Sequence, residues 1–160
     1  MIAPDELAEA FNRNVMIIKM QTAGLSQEDS LLPLPFRGNR LNWVVGHLGQ
    51  HRDQILELLG EAPLLGERGA PYARESAPLT EATPGVLQLG ELIGLLEQGQ
   101  ELIAAALARI SPAELEREII PYARPTTVAK HLFFLYFHET WHAGQTEYLR
   151  QLAGTDDKII

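Results

Sequence analysis

The stretch His138-Glu139-Thr140-Trp141-His142-Ala143-Gly144-Gln145 lies inside an apolar-periodic run from about Val128 to Leu152. Its two histidines are four residues apart, so on an α-helix they lie one above the other on one face, with Cβ atoms about 5–6 Å apart. Two such imidazoles can converge on one metal ion, since zinc–nitrogen bonds measure about 2.0–2.1 Å. The spacing alone fits two hydrogen-bonded core histidines equally well, so a metal site needs a third ligand.

The face that carries these histidines is apolar at both ends and polar in the middle, which predicts a helix that supplies a core and a site within that core. In steps of three and four it reads His131, Leu135, His138, His142, Gln145, Leu149 and Leu152. His131 precedes His138 by two turns, about 10 Å along the axis, which is too far to reach the same ion. Glu139 and Glu147 lie off this face, and we expect them to be solvated.

Three further amphipathic segments, at about 4–23, 39–59 and 86–110, have the length of bundle helices. With the run over 128–152 they predict an all-α fold, a four-helix bundle that forms a single domain over residues 1–160. No segment alternates with a period of two for long, so we expect no sheet. The irregular segment 61–85 is rich in proline and glycine, and it fits a lid over a site or a surface excursion equally well.

Composition limits the classes of function. The formal net charge of −8 argues against a nucleic-acid partner, because phosphate binding needs a basic face. No apolar run approaches the ~20 residues that span a bilayer, and Asp5 and Glu6 stand where a signal peptide would be basic, so we expect a cytoplasmic protein without a membrane partner. The chain has no cysteine, and none of its serines has the context of an activated nucleophile, so covalent catalysis by the protein is not expected.

A second motif, Asn42-Trp43-Val44-Val45-Gly46-His47-Leu48, opens the second long helix. Together with the His-x-x-x-His-x-Gly-Gln motif over 138–145, it resembles the DinB/YfiT-like superfamily, and the resemblance spans most of the chain. It implies a metal-binding four-helix bundle, commonly a homodimer, with one histidine ligand from the second long helix and two from the fourth. Carried over position by position, the ligands are His47, His138 and His142.

The resemblance also implies a range of chemistry. Related families include thiol-dependent transferases, an isomerase that uses a low-molecular-weight thiol, and proteins assigned as metal-dependent hydrolases. We therefore expect a metal-dependent enzyme acting on a small-molecule substrate, or alternatively a non-catalytic, stress-related bundle that binds a metal or ligand. Three neutral imidazoles leave a metal ion at least one open position, which can take water or an external thiol. Zinc or nickel is expected, and iron and copper are also compatible with imidazole ligands.

Two further residues are candidates for the same site. His51 lies one turn beyond His47, and it could be a fourth ligand, a general base that carries a proton, or a group that lines the pocket. It equally fits a partly exposed helix histidine beside Arg52. Gln145, three residues after His142, is expected to hydrogen-bond a ligand histidine.

Overall fold

The computed structural model describes residues 3–155, 157 and 159. Over these residues four long helices form an all-α bundle, as predicted. They are α1 (Pro4–Thr22), α3 (Leu41–Leu58), α4 (Leu89–Leu107) and α6 (Val128–Leu152). Helix α1 packs against α4 and α6, and α3 packs against the same two helices, so the bundle is a square with α1 and α3 on opposite corners. No helix in the described part of the chain combines the length and apolar character needed to cross a lipid bilayer.

The ends of the helices follow from local sequence. Glu6, in the first turn of α1, accepts a hydrogen bond from the backbone N–H of Ala3, which precedes the helix. The hydroxyl of Thr127 accepts a hydrogen bond from the backbone of Lys130 at the start of α6. Gly154 follows α6 with a φ of 78°, the left-handed conformation that glycine adopts at little cost. The predicted run over 128–152 is thereby confirmed as one helix.

The connections contain short regular elements. They are α2 (Gln27–Ser30), a 3-10 helix (Gly66–Tyr72), α5 (Pro112–Glu116), strands β1 (Glu118–Ile119) and β2 (Thr126–Thr127), and a 3-10 turn (Pro121–Ala123) between the strands. The two strands pair antiparallel, so the expectation of no sheet is wrong. Each strand has only two residues, which is too short for an alternating pattern to be visible in the sequence.

The segment 61–85 is packed against α3 rather than extended into solvent. The carboxylate of Asp53, on α3, accepts hydrogen bonds of 2.7–3.2 Å from the backbone N–H groups of Leu64, Leu65 and Gly66. These bonds hold the start of the 3-10 helix, and Leu65 is buried beneath it. The interpretation of this segment as a surface excursion is therefore wrong for its first half.

A polar layer divides the core at mid-height. One apolar cluster includes Leu48 of α3 and Leu96 of α4, and the other includes Ile55 and Ile103 of the same helices. On each long helix, buried polar side chains lie between the residues of one apolar cluster and the residues of the other. They are Asn14 on α1, His51 and Arg52 on α3, Gln100 on α4, and Glu139 and His142 on α6. Such a layer needs hydrogen-bond partners throughout, because an unsatisfied buried polar group is costly.

Candidate metal centre

Four histidines from two adjacent helices meet beside this layer. His47 and His51 come from α3, and His138 and His142 come from α6. The ring centroids of His51 and His138 are 3.9 Å apart, and those of His47 lie 5.4 Å and 5.2 Å from His138 and His142. The structure therefore brings the three sequence-predicted ligands together and adds His51 to the group. His131 lies outside this four-histidine cluster, against Tyr122.

The donor atoms have the spacing of metal ligands. The Nε2 atoms of His47 and His51 are 3.2 Å apart, and so are those of His138 and His142. Two nitrogens bound at 2.0–2.1 Å to one tetrahedral ion lie about 3.3 Å from each other. Donor nitrogens of His47, His51 and His138 also lie within 4.8 Å of one another. These three nitrogens are close enough to share one ion, and His142 lies at ligand spacing from His138.

His47 is held by the segment that packs on α3. Its Nδ1 atom lies 2.9 Å from the carbonyl oxygen of Tyr72, which can only accept, so Nδ1 carries the proton and Nε2 presents a lone pair. Trp43 stacks on the His47 ring at 4.4 Å. Gly46 makes the approach possible, because a Cβ at this position would lie 2.2 Å from the Tyr72 ring. The glycine before the motif histidine thus serves the packing of Tyr72.

His142 is oriented in the same way from the other helix. Its Nδ1 atom lies 2.8 Å from Oε1 of Gln145, so Nδ1–H donates and Nε2 again presents a lone pair. Gln145 therefore hydrogen-bonds His142, one of the three predicted ligands. Metal-bound histidines usually donate their other ring N–H to an oxygen in this manner, which fixes both the tautomer and the ring orientation.

His51 and His138 lack such support. The Nδ1 atom of each is buried and makes no hydrogen bond to the described part of the chain. The ring of His51 is itself buried, so its interpretation as a partly exposed helix histidine is wrong. Buried nitrogens without partners are unusual in a folded protein, and water, an ion or another ligand can supply the missing contact.

All four imidazoles are neutral near pH 7. Burial is the largest cause, and it lowers the pKa of His51 to about 2 and the pKa values of His138 and His142 to about 4. Burial also lowers the pKa of His47, against the opposing effect of its hydrogen bond to Tyr72. Neutral imidazoles are the form that binds metal ions. With a pKa of about 2, His51 would rarely be protonated near neutral pH, which disfavours the role of proton carrier.

A buried ion pair lies next to the cluster. Glu139 accepts two hydrogen bonds from Arg52, 2.9 Å to Oε2 and 2.8 Å to Oε1, and each side chain is at most 2% exposed. The expectation that Glu139 is solvated is therefore wrong. The buried face of α6 runs through Glu139 and His142, whereas His138 is only half-buried at its edge.

Arg52 ties all four long helices together. Besides Glu139 on α6, it donates to the carbonyl oxygens of Phe11 on α1 and Leu96 on α4, and to the side chain of Gln100. Sequence reasoning missed this pair, although each member directly follows a cluster histidine in the chain. With its carboxylate engaged by Arg52, Glu139 is not free to bind a metal. The available donors are thus imidazoles, which suit zinc, nickel, copper or iron better than magnesium or calcium.

A cleft of about 460 Å³ opens beside the cluster. His142 and Gln145 line one side, and Trp43, whose ring stacks on His47, lines another. This volume lies in the range of small-molecule sites, about 300–1,000 Å³. A ligand in the cleft would therefore lie directly against one cluster histidine.

Comparison with known proteins assigns the fold to a family. A crystal structure described as that of a conserved protein of a locus from Enterococcus faecalis is similar with a TM-score of 0.74 and 20% sequence identity, covering 97% of this chain and 99% of that chain. At this identity the likeness shows the fold alone. A search of curated proteins finds no match. The sequence profile of the DinB superfamily matches residues 22–146, well over half of the chain, and the chain belongs to that superfamily.

Proposed function

We propose that this protein is a metal-dependent enzyme of the DinB superfamily that acts on a small molecule. The observation that carries the proposal is the convergence of four neutral imidazoles, with Nε2 atoms paired at 3.2 Å, beside a cleft of small-molecule size. The bound ion, zinc or nickel by this proposal, would supply Lewis-acid activation of either water or a low-molecular-weight thiol. The first alternative gives a hydrolase and the second a thiol transferase.

We assign His47, His138 and His142 as the ligands. His47 and His142 have their tautomers fixed by oxygen acceptors, so each directs an Nε2 lone pair at the cluster. His138 lies at ligand spacing from His142. A set with His51 in place of His142 is the alternative, because the donor nitrogens of His47, His51 and His138 all lie within 4.8 Å of one another. The hydrogen bond that orients the ring of His142 supports its place in the proposed set, since ligand histidines usually donate their second ring N–H to an oxygen.

The chain's own groups contribute binding and orientation. Trp43 stacks on the ring of His47, Gln145 orients the ring of His142, which borders the cleft, and His51 lines the buried side of the cluster. No cysteine exists in the chain to act as nucleophile. In this proposal the nucleophile is therefore either water or an external thiol.

A second candidate function follows from the pairing of the histidines. His47 with His51, and His138 with His142, lie at hydrogen-bond distance from each other, as expected of a bundle that binds metal or ligand without catalysis. The number of ligands separates the two functions. Three imidazoles leave a tetrahedral ion one open position, whereas four close it in the manner of structural sites.

Metal binding by single variants tests the assignment. Chain purified without an affinity tag, and then stripped by chelation, is titrated with Co²⁺ or Ni²⁺ while tryptophan emission is followed, since Trp43 stacks on His47 and Trp141 lies against His142. We expect His47→Ala, His138→Ala and His142→Ala to lose most of the binding. His51→Ala is expected to retain it, with His131→Ala as a control outside the cluster. Loss in His51→Ala with retention in His142→Ala would contradict the ligand set.

Activity separates the enzyme from the binding protein. Small electrophiles are assayed with and without low-molecular-weight thiols, using metal-loaded and chelated protein side by side. We expect turnover only in the loaded protein, and we expect it to be abolished in His47→Ala. Turnover that survives complete metal removal would contradict the mechanism, and the absence of turnover with every electrophile would favour the non-catalytic function.

We further propose that the protein is a homodimer. Large apolar side chains are exposed on α1 and α6, two helices that pack against each other: Met16 (54%), Met20 (42%), Phe133 (49%) and Phe137 (60%). A two-fold dimer pairs identical patches, so this face can cover its own copy. Sedimentation at micromolar concentration is expected to show a dimer that Phe137→Lys weakens. A species of only 17.8 kDa would refute the proposal.

A further inference from the structure

The cleft beside His142 has aromatic walls that solvent reaches. Phe36, Trp141 and Tyr148 line it and are 62%, 58% and 70% exposed. Trp43 lines it too, as a buried ring. Flat aromatic surfaces of this kind bind apolar ligands well, and their grouping around one concavity is unlike the scattered exposure of single apolar residues. The walls therefore fit a small, flat, apolar body.

One side chain gives the cleft a charge. Arg37 is the charged residue among those that line it, and its guanidinium makes no hydrogen bond or ion pair with the described residues. Other arginines of the chain, such as Arg68 and Arg109, are paired with glutamates. The chain as a whole carries a net charge of −8, and Arg37 places a positive charge at this cleft. The guanidinium is suited to binding a carboxylate through paired hydrogen bonds.

We propose that this cleft binds a small aromatic carboxylate, with its ring against Trp141 and its carboxylate on Arg37. The proposal rests on the proposed function only for the fate of the ligand, which would lie next to His142 and the ion held there. Binding itself depends on the aromatic walls and on Arg37, so it does not require the metal.

Matched probes test the two parts of this recognition. The probes are 1-naphthoate and 1-naphthylmethanol, which share one ring system and differ in charge, and their binding to the full chain is measured by calorimetry. Both tryptophans of the chain line the cleft, so protein emission gives an independent readout of occupancy. Each titration is made with metal-free protein and with protein loaded with zinc.

We expect 1-naphthoate to bind at least several-fold more tightly than 1-naphthylmethanol in both forms of the protein. Arg37→Gln should weaken 1-naphthoate about tenfold, since hydrogen bonds to charged groups are of that strength, and should leave 1-naphthylmethanol unchanged. Arg37 is exposed and its side chain makes no hydrogen bond or ion pair with the described residues, so the variant should remain folded. The matched control is Arg124→Gln, an exposed arginine outside the cleft with the same loss of charge.

The outcomes separate this proposal from the metal site. Selective, Arg37-dependent binding by a chain that holds no metal would support the cleft and count against the proposed function. A chain that binds metal but takes both probes equally, or takes 1-naphthoate equally in Arg37→Gln, would overturn the proposal. Failure of both probes to bind at millimolar concentration would also overturn it, as expected if a second copy of the chain covers the cleft.

Discussion

The bundle contains two neighbouring buried polar groups that differ in whether their polar atoms have hydrogen-bond partners. Arg52 and Glu139 satisfy each other and the surrounding carbonyl oxygens, and they link all four long helices. The histidine cluster one residue away is incomplete, because the Nδ1 atoms of His51 and His138 have no partner in the described chain. A satisfied buried network stabilises the fold, whereas buried polar atoms without partners cost stability unless water, an ion or a ligand pairs with them.

The largest effect should come from breaking the satisfied group. Glu139→Ala leaves the Arg52 charge buried without its partner, and we expect it to lower the free energy of unfolding by about 3–5 kcal/mol in urea titrations. Glu147→Ala is the matched control, since Glu147 is exposed on the same helix, and its effect should stay within about 0.5 kcal/mol. Equal stability of the two variants would show that the ion pair does not hold the bundle.

A smaller effect is expected where the cluster depends on packing. Gly46→Ala places a Cβ 2.2 Å from the ring of Tyr72, whose carbonyl orients His47. We expect a loss of about 1–3 kcal/mol in unfolding free energy, together with weaker Co²⁺ binding. Gly94→Ala on α4 meets nothing within 4 Å and should be neutral or stabilising by up to about 1 kcal/mol. If Gly46→Ala is destabilised but binds metal as the parent does, the packing of Tyr72 does not contribute to metal binding.

Acid should act on the cluster of the metal-free protein. The folded-state pKa values of His138 and His142, about 4, lie below the unfolded value of 6.5. Between pH 6.5 and 4 the unfolded chain therefore binds more protons, so stability falls as the pH falls through this window. We expect His138→Leu, measured by urea unfolding at several pH values, to lose stability less steeply than the parent chain. An identical slope would show that His138 does not titrate in this way.

The smallest effect on the metal-free fold should come from removing an unsatisfied ring. The Nδ1 atom of His138 makes no hydrogen bond and its Nε2 atom pairs only with His142, so His138→Ala should cost about 1 kcal/mol in the absence of metal. With zinc present the parent chain should be stabilised and the variant should not, because only the parent binds the ion. A large loss of stability in the metal-free variant would show that His138, like Arg52 and Glu139, stabilises the fold itself.

The sequence predicts the parts of this fold that depend on local patterns. Helix α6 follows from its apolar period and its glycine end, and the meeting of His47 with His138 and His142 follows from two motifs that resemble one superfamily. The partner of Glu139 is 87 residues away on another helix, and nothing local distinguishes it from a solvated glutamate such as Glu147. Burial of a charge depends on its partner, and that partner becomes visible only after the helices are packed.

Other structural features could not be predicted from the sequence, for related reasons. The close contact between Gly46 and Tyr72 joins α3 to a segment whose path the sequence does not predict. His51 packs against the ring of His138, which comes from the neighbouring helix α6. Strands of two residues, such as Glu118–Ile119, carry no periodic signal. In each case the missing information is a long-range contact.

The central claim is that the incomplete cluster holds a metal ion, and the metal content of the purified chain tests it most directly. Protein made without an affinity tag is analysed for zinc, nickel, iron and copper, beside His47→Ala, His138→Ala and the control His131→Ala. We predict about one transition-metal ion per chain in the parent and the control, and little in the two cluster variants. Absence of metal from the parent, or equal content in all four proteins, would contradict the account.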